Sequence, residues 1–335
     1  MEVVLGGRDI MLSYAYGVVS GLHGRLLKSR DYELFMTAES VKEILSTLEK
    51  TSYASGIRQL TGEYSLSEVE AVLSQSLRES YLELSGMVPE KERKALDLIV
   101  MGAWDLENIK SAVRAMRNGI SQAQTYPVLG VISGQTLSEM VSSPGVEDMV
   151  SMLPEPYSTY LSSASLKESP MGFDEELDRS HIRHLLSSTK GELREYVGLL
   201  VDSLNLRAIL RCKASDVDAS SHVLEGGRHV KGGKLYDMLR SDLASEPKVL
   251  EGTPYHGAVR DSIKADGGVD FPSLEVGLRS AVESELEFKS KLEPVSIYSI
   301  LSFLNLKRDE MFRLRAVIAG KWFEVGSDEV RVWIS

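Results

Sequence analysis

One helical phrase is written three times in this chain, and that repetition constrains the fold more than any other feature. DLENIKSAVRAM at 105–116 matches DSLNLRAILRCK at 202–213 at an offset of 97 residues, and RLRAVIAGK at 313–321 matches the core of the second at an offset of 108. In this register Ile109, Leu206 and Leu314 coincide, as do the basic residues Lys110, Arg207 and Arg315. Val113, Leu210 and Ile318 also coincide, with Asp105, Asp202 and Glu310 each three residues upstream of the alignment column Asn108, Asn205 and Arg313. The match extends downstream. Gly134–Met140 parallels Gly232–Met238, and 18 residues after the glycine each copy places an apolar residue followed five later by tyrosine, Met152 and Tyr157, then Leu250 and Tyr255. Near the N-terminus Ala38, Val41 and Ile44 lead to Leu48-Glu-Lys-Thr-Ser-Tyr53, which parallels Leu250-Glu-Gly-Thr-Pro-Tyr255. This reads as a shortened first unit with Ala38 where the turn glycine stands. Each unit then shows a Glu before an apolar residue, at Glu68, Glu176 and Glu275. Three unrelated amphipathic helices would share Leu, Ile and Arg, but not these ordered intervals, so the pattern predicts internal triplication.

The local pattern is helical. Apolar residues at helical spacing predict one helix from Lys94 to Arg117, stopped by Asn118-Gly119. Thr189-Lys-Gly-Glu192 predicts a capped start for a second, running to about Lys213, and Pro294 a start for a third, running to Gly320. Gly226-Gly227, Gly232-Gly233 and Gly267-Gly268 punctuate them, and Val330–Ile334 carries a weak strand signal. The fold class expected is all-α.

The polar residues of the phrase need a physical account. Asp202 and Asn205 share one face of an apolar helix, as do Asp105 and Asn108, and each would cost about 1–3 kcal/mol if buried without a partner. They mark either inter-helix contacts that fix each unit's register or a wet face. Lys110, Arg207 and Arg315 form a partner-facing basic ring if the units close around a threefold axis; otherwise they are solvated or sit in intramolecular ion pairs.

Composition excludes several functions. With 49 acidic against 38 basic residues, a net charge of −11, the chain is not built to track nucleic-acid phosphates. Cys212 is the only cysteine, which excludes an intrachain disulfide and fits a reducing compartment. No basic leader with a cleavage site opens the sequence and no apolar run nears the ~20 residues of a membrane span, so any membrane contact is expected to be peripheral. Gly227–Lys234 imitates a phosphate loop, but Gly233 intervenes before Lys234 and Leu235 stands where magnesium needs Ser or Thr. His181 and His184 share a helical face without HExxH context. Asp216-Val-Asp218, Ser133-Gly134, Ser20-Gly21 and Cys212 complete no catalytic constellation. Neither catalysis nor a cofactor or metal is expected.

The doubled phrase D-x-x-N-hydrophobic-basic is similar to the internal repeats of the central-stalk subunit of A-type and V-type ATPases, called C in archaeal-type enzymes and d in vacuolar ones. Glu293-Pro-Val-Ser-Ile-Tyr-Ser-Ile-Leu through Leu314-Arg-Ala-Val-Ile-Ala-Gly-Lys321 resembles that family's closing segment, and Tyr14 to Leu27 its N-terminal helix. The resemblance implies three similar helical lobes in a pseudo-threefold funnel. They would span 1–104 (completed by 313–335), 105–201 and 202–312, with 313–335 as the closing segment. It also implies a non-catalytic spacer, monomeric when isolated, on the cytoplasmic side of a membrane. Its partners would be the D/F-type shaft subunits and the proteolipid ring, with the membrane stator subunit as a further neighbour, in ATP-linked H+ or Na+ transport. Arg313 departs from the family's Asn. Two other classes compete with this reading. A free-standing repeat adaptor would stack its units in a line, and a helical enzyme would show a pocket of perturbed titratable groups.

Overall fold

A computed structural model describes residues 7–60, 62–121, 127–165 and 172–334, and these are helical throughout apart from turns, loops and one isolated bridge between Ile263 and Val269. The all-α expectation holds. The opening residues 1–6, on which the expected absence of a leader partly rests, lie outside the described residues. In chain order the helices are α1 Gly7–His23, α2 Ser29–Thr37, α3 Val41–Leu48, α4 Ala54–Ile57, α5 Leu66–Ser85, α6 Glu90–Val100, α7 Gly102–Arg117, α8 Gly134–Val141 and α9 Val146–Met152. They continue with α10 Tyr157–Ser165, α11 Phe173–Ser188, α12 Gly191–Ala214, α13 Gly233–Arg240, α14 Glu246–Val249, α15 His256–Ser262, α16 Phe271–Leu292, α17 Ile297–Trp322 and α18 Ser327–Ile334.

The chain divides into two compact units. The first comprises the described residues of Met1–Arg93, Tyr126–Leu129 and Glu293–Ser335; the second those of Lys94–Thr125 and Gly130–Leu292. In the first, α17 packs against α1, α2, α3 and α5. Its opening turns bury Ile297, Tyr298, Ile300, Leu301, Phe303 and Leu304 almost completely, and a helix apolar on every side belongs inside a core. In the second, α7 packs against α8 and α11, while α12 packs against α11 and α16. α12 is likewise buried on all faces, from Leu193 through Cys212.

Several local expectations change. The helix expected over Lys94–Arg117 is interrupted at Met101, after which Gly102 opens α7; a Cβ at Gly102 would stand 2.9 Å from the Tyr157 hydroxyl. Thr189 does not cap the start of α12. It ends α11, its hydroxyl donating to the Leu185 carbonyl at 2.6 Å, and Lys190 precedes α12. α17 starts at Ile297 rather than Pro294, and ends at Trp322. Residues 330–334, read as a weak strand, belong to α18, because packing overrides the β-propensity of Val and Ile: Val330 is buried against Gly320, where a Cβ would lie 2.4 Å from it.

Candidate functional site

The acidic residues of the repeated phrase each sit at the centre of a buried hydrogen-bond node. In α12 the Asp202 carboxylate accepts the backbone N–H groups of His229 (2.7 Å) and Val230 (3.0 Å) and the hydroxyl of Tyr255. In α7 Asp105 accepts those of Val131 (3.0 Å) and Ile132 (3.2 Å) and the hydroxyl of Tyr157. In α17 Glu310 accepts the N–H of Leu27 (2.5 Å) and the hydroxyl of Tyr53 (2.7 Å). Tyr53, Tyr157 and Tyr255 are the three tyrosines that the spacing aligned, and all are buried. The wet-face reading of Asp105 and Asp202 is therefore excluded. These residues pin a long helix to a turn and to a second helix start in each set.

The node also corrects the register of the first unit. Leu27 precedes Tyr53 by 26 residues, as Val131 precedes Tyr157 and His229 precedes Tyr255. The first unit is thus not shortened. Its cradle turn is at Leu27–Lys28, and Ala38 is the residue that closes α2. The segment before this turn differs for a physical reason. Asn205 exchanges two hydrogen bonds of 2.8 Å with the backbone of Leu224, an irregular stretch. In the first unit the corresponding chain is the end of α1, which satisfies its own backbone, so Asn has no task and an exposed Arg313 replaces it. Asn108 is buried like Asn205.

Glu310 has one neighbour that sequence reasoning missed. Lys307, itself buried, lies 2.6 Å from Glu310 and 4.0 Å over the Tyr53 ring. It occupies the position held by Gly102 and Leu199 in the other copies, so the repeat gave no signal for it. Burial depresses its pKa against the opposing pull of Glu310.

Burial has the converse effect on Asp202, pushing its pKa up to about 6 although backbone donors and Tyr255 favour the anion; Asp105 is raised for the same reason. Between the ordinary carboxylate value and about 6, the folded state then binds more protons than the unfolded one. Stability from this group is complete at low pH and is lost as pH rises through that window, by about 2–3 kcal/mol. Asp202→Asn cannot ionise. The stability of the wild type relative to this variant is expected to fall between pH 4 and 6.5 and to level off above, measured as the difference between their urea midpoints.

The candidate ring residues are all engaged within their own unit. Lys110 lies 2.6 Å from Asp178 and 2.7 Å from Glu107, and is buried. Burial opposes its charge, but the two carboxylates outweigh it and hold its pKa above the ordinary value. Arg207 stands 3.5 Å from Glu275, and Arg315 3.2 Å from Glu70. Glu70, Asp178 and Glu275 therefore occupy matching places on α5, α11 and α16. The Glu68, Glu176 and Glu275 series mixes roles. Glu68 caps α5 with Ser65, Glu176 is buried beside Arg179 and Arg183, and only Glu275 meets a repeat base.

The remaining motifs have structural tasks. The N–H groups of the phosphate-loop-like turn at 227–234 point to Asp202, so an internal carboxylate fills the position an anion would take. His181 and His184 both stack edge-on against Tyr160, and burial pushes the pKa of His181 down to about 4. Among the described residues no group of three or more His, Cys, Asp or Glu is placed to hold a metal ion. Ser133 caps α8, Asp218 holds the turn at Ser220, and Cys212 is buried in α12. No described helix is long and apolar enough to cross a membrane.

Known proteins are similar to this chain along most of its length. Residues 15–332 match the family described as ATP synthase (C/AC39) subunit. The chain is 27% identical to the C subunit of the A-type ATP synthase of Pyrococcus furiosus, over 91% of this chain and 85% of that protein. The corresponding protein of Methanocaldococcus jannaschii is 26% identical, covering 91% and 83%. That of Desulfurococcus sp. is 25% identical, covering 96% and 89%.

Proposed function

The chain belongs to the ATP synthase (C/AC39) subunit family, and on that premise we propose that it is the non-catalytic central-stalk spacer of a rotary A-type complex. It would pass torque between the D/F-type shaft subunits and the proteolipid ring, as a peripheral component on the cytoplasmic side. The match over residues 15–332 carries this reading. The three carboxylate–tyrosine nodes support it mechanically. A torque-bearing body must not let its long helices slide, and a fully satisfied buried polar network resists sliding because any shift leaves donors unpaired at about 1–3 kcal/mol each. The reading includes three lobes, 1–104 with 313–335, 105–201 and 202–312, closed as a funnel.

Reconstitution tests it. A complex assembled without this chain should hydrolyse ATP but drive no ion transport, and adding the chain back should restore transport; full transport without it would overturn the reading. The partner-facing role of Lys110, Arg207 and Arg315 requires them to exchange their internal carboxylates for the partner's. Replacing all three by Ala would then weaken shaft binding at least about tenfold by titration, whereas purely internal pairs predict a lowered melting temperature with affinity unchanged.

A further inference from the structure

Each repeated helix ends in the same turn, and two of the three turns carry a carboxylate where glycine is the favoured residue. After α7 the N–H of Ile120 donates to the Ala115 carbonyl and that of Gly119 to Met116, with Gly119 at φ +63°. After α12 Val217 donates to Cys212 and Asp216 to Lys213, with Asp216 at φ +54°. After α17 Val325 donates to Gly320 and Glu324 to Lys321, with Glu324 at φ +55°. Glycine fits this turn because a Cβ is crowded at positive φ. Glutamate there is disfavoured twice, by the backbone conformation and by the negative end of the helix dipole, whereas the short side chain of Asp216 tolerates the conformation. Among the described residues neither Glu324 nor Asp216 has a side-chain hydrogen bond or ion pair to offset this.

The tip of α17 adds an exposed aromatic surface. Phe323 is 67% exposed and Trp322 37%, the latter tilted against Tyr64 at 6.3 Å. Val330, buried, packs closely on Gly320 at the base of the turn. Residues 324–329 contain Glu324, Asp328 and Glu329 and no basic residue. Asp328 and Glu329 lie in the first turn of α18, where the dipole favours them; Glu324 has no such account. Exposed aromatic residues next in sequence to an exposed carboxylate are complementary to a cation with an apolar stem, by cation–π contact and ion pairing together.

We propose that the tip of α17, formed by Trp322, Phe323 and Glu324, is a docking point for a Lys- or Arg-bearing segment of a partner protein. The cation is seated between the Phe323 ring and the Glu324 carboxylate. This holds whether the partner is the shaft, the ring or another chain, so it stands or falls separately from the coupling role.

Benzoylphenylalanine placed at position 323 in the full chain, expressed in its native cells and photolysed, tests it, with the cross-linked peptide read by mass spectrometry. The expected product joins this tip to a peptide with Lys or Arg within about one helical turn of the attachment point. In a Glu324→Gly background its yield should fall about tenfold while the melting temperature of the purified chain stays level or rises by about 1–2 °C, because glycine relieves the turn. Attachment to an acidic or uncharged segment, attachment to lipid, absence of any protein product, or a yield indifferent to Glu324→Gly would each overturn the proposal. The identity of the cross-linked partner separately tests the coupling role.

Discussion

Glu310→Ala is expected to destabilise the first unit by about 3–5 kcal/mol, because it strands a buried cation. Lys307 would keep only Ser52 at 3.4 Å and the face of Tyr53, inside a core that excludes water. The Leu27 N–H and the Tyr53 hydroxyl would lose their acceptors in the same step. The cost lies in the unpaired charge more than in the pair. Converting both ends therefore recovers most of the loss: Lys307→Leu with Glu310→Gln removes the cation, keeps an oxygen acceptor for the Leu27 N–H while its NH2 donates to the Tyr53 hydroxyl oxygen, and installs the residue type found at Leu199 in the third copy. Urea denaturation of the three proteins checks this. A double variant as unstable as Glu310→Ala would mean that the carboxylate itself, and not the stranded lysine, holds the node.

Spacing alone located both halves of these nodes, though not their contact. Asp105, Asp202 and Glu310 fell in one column and Tyr53, Tyr157 and Tyr255 in another, about 50 residues away in the second and third units. The fold brings the columns together, since the buried carboxylate needs donors and the tyrosine needs an acceptor. What was hidden is what the copies do not share. Lys307 sits where the other copies have glycine and leucine, so alignment reads it as noise. The first cradle turn, at Leu27–Lys28, lacks the glycine that would mark it in the sequence. Glu310 is one methylene longer than Asp and reaches the Leu27 N–H without the turn's backbone having to press against the helix. The series of Glu before an apolar residue does not mark the ion-pair carboxylates: it lies two residues before Glu70 and Asp178 and coincides with Glu275 alone. Division into two compact units is not legible in the repeat, which marks three copies and carries no signal of how they group.

The same comparison explains why two glycines are required where the acid is Asp. An ideal Cβ at Gly227 would lie 2.1 Å from Asp202 Oδ1 and 2.6 Å from the Val230 carbonyl; one at Gly130 would lie 2.1 Å from Asp105 Oδ2. The short carboxylate reaches its backbone donors only if the turn lies against it, and any side chain on the near face separates them. Gly227→Ala is therefore expected to cost roughly 3–5 kcal/mol, from overpacking together with the loss of the His229 and Val230 hydrogen bonds. Gly130→Ala should cost a similar amount. Neither is relieved by side-chain rotation, because the obstructing atoms belong to a pinned carboxylate and, at Gly227, to backbone. Shortening the acid separates the two contributions. In an Asp202→Ala background the clash with the carboxylate is gone and the hydrogen bonds are already lost, so adding Gly227→Ala should cost no more than about 1–2 kcal/mol, the residue of the clash with Val230. A full additive penalty in that double variant, measured by calorimetry, would show that the glycine serves the turn's own conformation and not the node.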